Sequence, residues 1–296
     1  MLRLLAHPYL LLSLAALFWG GNTIVGRWLR DYLSPVDINL IRWSLALMIL
    51  LPFCWGPLWR ERALMRRHWL LIVLLGVTGV AVFQTLLYLS LQTTSAINAS
   101  LITSTCPIMI TLGNGLLYRE WLSAKATLGV LISLIGVVVL ISHGQWANVA
   151  NLQFYPGDLW MLLANLVWAI YSIGLRHKPA QLSQASLLLS TAIVGLLVLL
   201  PWGLLETNSR DFQPLNTTVY LNLFYVVLFP SILAFICWNR GVALIGSGQA
   251  GIFLHLIPVF TAGLSVIFLG EGVAAYHLLG ALLVFGGIAL TARQPQ

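Results

Sequence analysis

Charge is what this chain has least of. Only 8% of its 296 residues are Asp, Glu, Lys or Arg, where a soluble domain carries about 25%. At 59% hydrophobic, it has too few polar side chains to cover a globule in water. Its eight acids, Asp31, Asp37, Glu61, Glu120, Asp158, Glu206, Asp211 and Glu271, all fall in connectors or at the ends of apolar runs. None falls mid-run, where a charge costs about 2.5–3.5 kcal/mol on insertion scales and marks function. That excludes an embedded carboxylate relay and the paired carboxylates of a hydrolase. The three cysteines, Cys54, Cys106 and Cys237, lie singly within apolar runs and are read as small core residues, not as a disulfide framework. No His/Cys/Asp group has metal-ligand spacing, so neither metal nor cofactor is expected. Linkers and low-complexity stretches are missing too. The net charge of +7 sits in connectors, which makes it a topology signal and not a nucleic-acid footprint.

What is present is apolar length. A bilayer core of about 30 Å takes roughly 20 apolar residues per helix. Ten runs can be drawn, at 8–28, 37–56, 69–90, 95–117, 124–142, 157–176, 182–204, 218–239, 246–269 and 273–292. The first follows a basic residue, as in a signal peptide. No small-x-small cleavage site follows it, and it belongs to an internal repeat, so it is read as a retained span.

That repeat organises the chain. At an offset of 151, Pro107, Glu120, Gly129 and Gly136 fall on Pro258, Glu271, Gly280 and Gly287. At an offset of 149, Trp19 and Arg27 fall on Trp168 and Arg176, and Leu50-Leu51-Pro52 on Leu199-Leu200-Pro201. The expected fold is an all-α polytopic membrane protein of ten transmembrane helices. Residues 1–142 form the first repeat, 143–156 a periplasmic connector and 157–296 the second repeat. Five helices per half is an odd number, so equivalent helices must cross the membrane in opposite directions. The repeats are therefore inverted, an arrangement transporters use to build a site near the midplane. Eleven Lys and Arg lie on the side that holds both termini and three on the other, with Arg42 just inside the second run. By the positive-inside rule both termini are cytoplasmic.

Polar residues within the spans are the candidate site. In the fourth run Ser100, Ser104, Pro107, Thr111 and Asn114 share one face, mirrored in the ninth by Gly251, His255, Pro258, Ala262 and Ser265. Proline frees a backbone carbonyl that needs a neighbour or water, so such faces should point inward; small-residue packing also accounts for Ser, Ala and Gly. His255 reads either as a proton-coupling group or as a neutral hydrogen-bonding residue in a packed helix. The candidate cavity residues are Trp19, Asn22, Gln84, Tyr88, Ser104, Pro107, Trp168, Tyr171, Asn239, His255 and Pro258. Amides beside aromatics suit a neutral or zwitterionic small molecule. Trp28, Trp43, Trp59, Trp69 and Trp202, near span ends, are expected in the interfacial belt. Arg42 is expected to snorkel to the periplasmic interface, with contact to a substrate carboxylate as the alternative. Glu120 and Glu271 are expected as structural joints that cap the helix that follows, with a gating role as the alternative.

These residues carry a family resemblance. FWGGNTIVGR in the first helix, the Arg42 position, and the paired Pro107…Glu120…Gly129 and Pro258…Glu271…Gly280 motifs resemble the drug/metabolite transporter superfamily, EamA-type, over essentially the whole chain. The resemblance implies a permease, not an enzyme, in a bacterial inner membrane, often exporting amino acids or related metabolites. It also implies a central cavity built chiefly from the first, third and fourth helices of each half. Four-helix relatives that expel quaternary ammonium drugs carry a glutamate in the first helix, where this chain has Trp19 and Asn22. Relatives that move phosphorylated sugars need Lys or Arg in the cavity, and neither is expected at mid-depth here. The reading is an alternating-access carrier for small neutral or zwitterionic metabolites, amino-acid efflux foremost and aromatic ones included. A drug exporter of the same fold is the alternative, and a lipid-modifying membrane enzyme is a more remote one. The partners are a small-molecule solute and the bilayer, with the chain acting as a monomer.

Overall fold

The structure is a computed structural model that describes residues 7–94, 99, 102–145, 147, 155–205, 213–269 and 274–292. Helix α1 (Pro8–Leu29) starts on a proline at its first turn, where no N–H is missed. Helix α2 (Pro35–Arg60) is capped by the Ser34 hydroxyl, which accepts from the Asp37 N–H at 3.0 Å. Helix α3 (Trp69–Thr93) passes through a π segment, Gly76–Val82. Helices α4 (Cys106–Tyr118) and α5 (Ala124–Ile141) complete the first half. The second half comprises α6 (Pro156–Gly174), α7 (Gln184–Leu205), α8 (217–245), α9 (247–269) and α10 (Ala275–Ala292).

Seven of these stretches are long and apolar enough to cross a membrane, and one of them, Thr217–Leu264, runs for 48 residues. It bends at Gly246 (φ 77°, ψ 159°), a left-handed conformation that glycine takes without strain, and so makes two spans, α8 and α9. With the shorter α4 and α10 the candidate spans number ten among the described residues. The outer surface is apolar, as lipid requires: Met48, Phe53 and Leu204 are 69%, 77% and 87% exposed.

The repeat is written into the irregularities. The π segment of α8, Val227–Leu233, stands 151 residues after that of α3. In α8 the widened turn accommodates Pro230, which has no N–H to donate. Helices α4 and α9 are both interrupted just before their repeated prolines: α4 is preceded by a turn at Ser104–Thr105, and α9 tightens to a 3₁₀ helix over Ile252–His255. Packing obeys the same symmetry. Helix α5 packs on its counterpart α10, and α2 on α7; α3 packs on α6 as α8 does on α1, and α4 on α6 as α9 does on α1. The α5–α10 crossing rests on four glycines. A Cβ at Gly136 would lie 2.7 Å from the Gly280 carbonyl, and one at Gly280 would lie 2.8 Å from that of Gly136. Gly129 and Gly287 oppose each other in the same reciprocal way. Such backbone approach is how helices associate where lipid removes the hydrophobic drive.

The interfacial-belt expectation is compatible with the exposure of Trp59, Trp69 and Trp202. It fails for Trp43, which is fully buried edge-to-face on Phe235, with ring centroids 5.1 Å apart. Helix α2 runs well past Trp43 to Arg60, so that residue lies inside the bundle rather than near its end.

Candidate functional site

Where the halves meet, Trp19 and Trp168 touch edge-to-face at 5.1 Å between ring centroids. Beside them is a cavity of ≈ 50 Å³ of free volume. Trp19, Asn22, Gln84, Trp168 and Pro258 line it, together with Thr23, Phe83, Leu87, Thr103, Cys106, Met161, Asn165, Leu254 and Ile257. The space admits a few waters at most, since one water needs roughly 10–15 Å³ measured this way. A metabolite-sized molecule does not fit this space as it stands.

The remaining candidates form the shell behind this wall. Tyr88 donates to Asn22 Oδ1 at 2.9 Å, and Tyr171 donates to Asn239 Oδ1 at 2.7 Å. Asn22 and Tyr171 are equivalent at the 149 offset, and Tyr88 and Asn239 at 151, so the same Tyr–Asn bond stands in both halves with its members exchanged. His255, fully buried, joins three helices. Its Nδ1 lies 2.7 Å from Ser133 Oγ on α5, and its Nε2 lies 3.0 Å from the carbonyl oxygen of Ser104, its own repeat partner. A carbonyl only accepts, so Nε2 carries the hydrogen, and in a neutral ring Nδ1 accepts from the Ser133 hydroxyl. The Ser104 carbonyl is open because the Ile108 N–H bonds to Thr105 instead, 3.0 Å away, at the break before α4. Pro107 packs beside Gly251 of α9. Thr111 is half-buried and donates to the Pro107 carbonyl, and Ala262 is half-buried. Ser100 and Glu271, and the side chain of Ser265, lie outside the described residues.

Arg42 is the largest departure from the sequence reading. It does not snorkel; it is fully buried inside the bundle. Nε donates to Ser231 Oγ at 2.8 Å, and Nη1 to Gln84 Oε1 at 2.9 Å and to the Tyr88 hydroxyl at 2.8 Å. The Ser231 hydroxyl in turn donates to the Val226 carbonyl, five residues back, just before the π segment. The widened turn thus builds a neutral cradle around a cation. The premise that no Lys or Arg stands deep in the bundle fails with it. A charge inside an apolar run was itself a signal, because a charged residue within a span is by default functional.

A second space of ≈ 870 Å³ opens at the joints after α4, α6 and α8, lined by Arg176, Lys178, Arg240, Glu120 and Gly246–Gln249. Glu120 does not cap α5; the Ser123 hydroxyl does, accepting from the Ala126 N–H at 3.2 Å. Ser123 sits directly before the helix, three residues nearer than Glu120, which leaves the carboxylate to form a two-pronged pair with Arg176, 2.7 Å on one prong. That guanidinium holds the Glu120 carboxyl below the usual carboxylate range. Asn114 Nδ2 donates to Ser247 Oγ at 2.9 Å, and along both α4 and α9 this bond stands between the basin and the central cavity.

The chain's relatives agree with this architecture. The model of the EamA-like transporter family matches residues 7–142 and again 155–293. The uncharacterized transporter YyaM of Bacillus subtilis (strain 168) is 25% identical over 283 residues, covering 95% of this chain and 92% of its own. An uncharacterized transporter of Archaeoglobus fulgidus is 26% identical over 297 residues, covering 98% of this chain and 99% of its own. A solved crystal structure of a protein superposes with a TM-score of 0.75 at 19% identity, over 96% of this chain and 95% of that one, a likeness of fold. With two matched halves, ten helices and a cavity at their junction, this chain belongs to the EamA-like transporter family and is a multi-pass membrane protein.

Proposed function

We propose that the chain is an alternating-access carrier for small neutral or zwitterionic metabolites, amino acids and their relatives foremost, aromatic ones included, and that it exports them. The observation that carries this reading is the small space beside the Trp19–Trp168 contact at the junction of the halves, with the amides of Asn22, Gln84 and Asn165 set among aromatic side chains. Aromatic faces receive an apolar body or an ammonium, and the amides orient it. A wide basin on the side of the basic joints and a narrow cavity at the junction of the halves suit a carrier caught between openings. Residues 1–142 and 157–296 act as the two moving walls around the 143–156 connector. The termini are cytoplasmic, the membrane is the bacterial inner membrane, and one chain, holding both walls, is the transport unit.

Purified protein in proteoliposomes should show saturable uptake that is accelerated by the same solute on the far side. Non-saturable flux insensitive to trans solute would sink the carrier mechanism in favour of a channel. The apolar lining from Phe83, Leu87, Met161, Leu254 and Ile257 favours one second reading, a hydrophobic drug as cargo; competition of a lipophilic dye against amino acids in the same assay separates the two.

A further inference from the structure

Resting on that carrier reading, we infer that the solute bears a carboxylate and that Arg42 is its charge partner. The guanidinium is fully buried, and among the described residues no carboxylate is paired with it; the ion pairs there are Arg30–Asp31 and Arg176–Glu120. Three neutral oxygens, of Ser231, Gln84 and Tyr88, satisfy two of its nitrogens. Hydrogen bonds of that kind hold the group in place without balancing its charge, and an uncompensated buried charge is costly.

The surplus around it is of donors. Arg42 Nη2, Gln84 Nε2 and Trp168 Nε1 are all buried and without an acceptor. Gln84 and Trp168 also line the central cavity, and Arg42 stands one hydrogen bond behind Gln84. A carboxylate brings one negative charge and two acceptor oxygens, which suits one guanidinium and its neighbouring amide. A phosphoryl dianion would keep a charge unbalanced, because among the described residues no Lys or Arg lines this cavity and Arg42 is the one cation bonded to its wall. Trp19 and Phe83 on the remaining wall suit an apolar or aromatic body attached to that carboxylate.

The test is a thermal-shift titration of purified protein against the twenty amino acids, benzoate and indole-3-propionate. For each responder its amide and its decarboxylated amine follow, with phenyl phosphate as a further probe. Carboxylates should raise the apparent Tm while their amides and amines do not, and Arg42→Gln should weaken carboxylate binding by at least about tenfold. Because Arg42→Gln disturbs the core, Gln84→Glu is the second arm. It gives Arg42 a resident carboxylate, so it should raise Tm without solute and abolish the response to added carboxylates. Failure of every carboxylate to shift the wild type, equal shifts from amides, preference for phenyl phosphate, or an undiminished response in Gln84→Glu each overturns the assignment. Saturable, trans-accelerated flux of an amine or amide under those outcomes keeps the carrier reading while removing the carboxylate; absence of any such flux removes the carrier reading itself.

Discussion

Single side chains in this protein do work that their neighbours in sequence do not announce. His255 is the clearest case. Read along the chain it is a titratable group in an apolar helix, open to proton coupling. In the bundle both ring nitrogens are already engaged, one by a serine and one by a carbonyl that a helix break set free. Removing the ring leaves two buried groups without partners, each worth about 1–3 kcal/mol. His255→Ala should therefore lower the unfolding midpoint in detergent, while the pH profile of solute flux keeps its wild-type shape. A profile that flattens in this variant, at wild-type stability, would mark His255 as a coupling group instead of a structural tie. Glu120 argues in the same register. Its carboxyl is held below the ordinary range by Arg176, so the pair's contribution is present above the unfolded carboxylate pKa and fades as pH falls through the folded one. Glu120→Gln should lower Tm slightly at neutral pH, and the gap to wild type should close on acidification. Both partners are exposed, so the effect is small.

At the scale of helices, the informative parts are the faults. The two π segments, the breaks before Pro107 and Pro258 and the four glycines of the α5–α10 crossing all recur under the repeat. The glycines were legible as a repeated pattern in sequence, but which glycine meets which was not, since the pairing joins different halves. Gly136→Ala pushes a methyl against the Gly280 backbone, which has no flexible side chain to yield. It should cost about 1–3 kcal/mol in unfolding measurements. Because Gly280→Ala strains the same contact, the double variant should cost less than the sum of the two. Strict additivity would show that the glycines act separately and not as one crossing.

For the molecule as a whole, the question is what opens. The Asn114–Ser247 bond lies between basin and cavity, at the α4–α9 neck where the two repeats face each other. A cysteine at each position, oxidised to a disulfide, should stop flux, and reductant should restore it. The native cysteines are buried and free, so they compete little for the oxidant. Undiminished transport by the oxidised double variant would mean that the neck stays shut throughout the cycle and that solute takes another route.

The sequence alone determined the membrane environment, the ten spans and their inversion, because apolar run length, odd helix number and a fixed offset are properties of order along a chain. It also brought Trp19, Asn22, Gln84, Trp168 and Pro258 forward as cavity candidates, and all five line one cavity. The tertiary structure alone decided the electrostatics. Arg42 and Trp43 were read from distance to a span end and are instead fully buried, while Glu120 sits at its expected joint but pairs with Arg176 and leaves the cap to Ser123. Distance along a helix sets depth only if the helix is short and straight, whereas α2 continues to Arg60 and α8 widens into a π turn that turns Ser231 towards Arg42. What surrounds the buried cation is supplied by two other helices, one from each half, and no local pattern encodes that meeting.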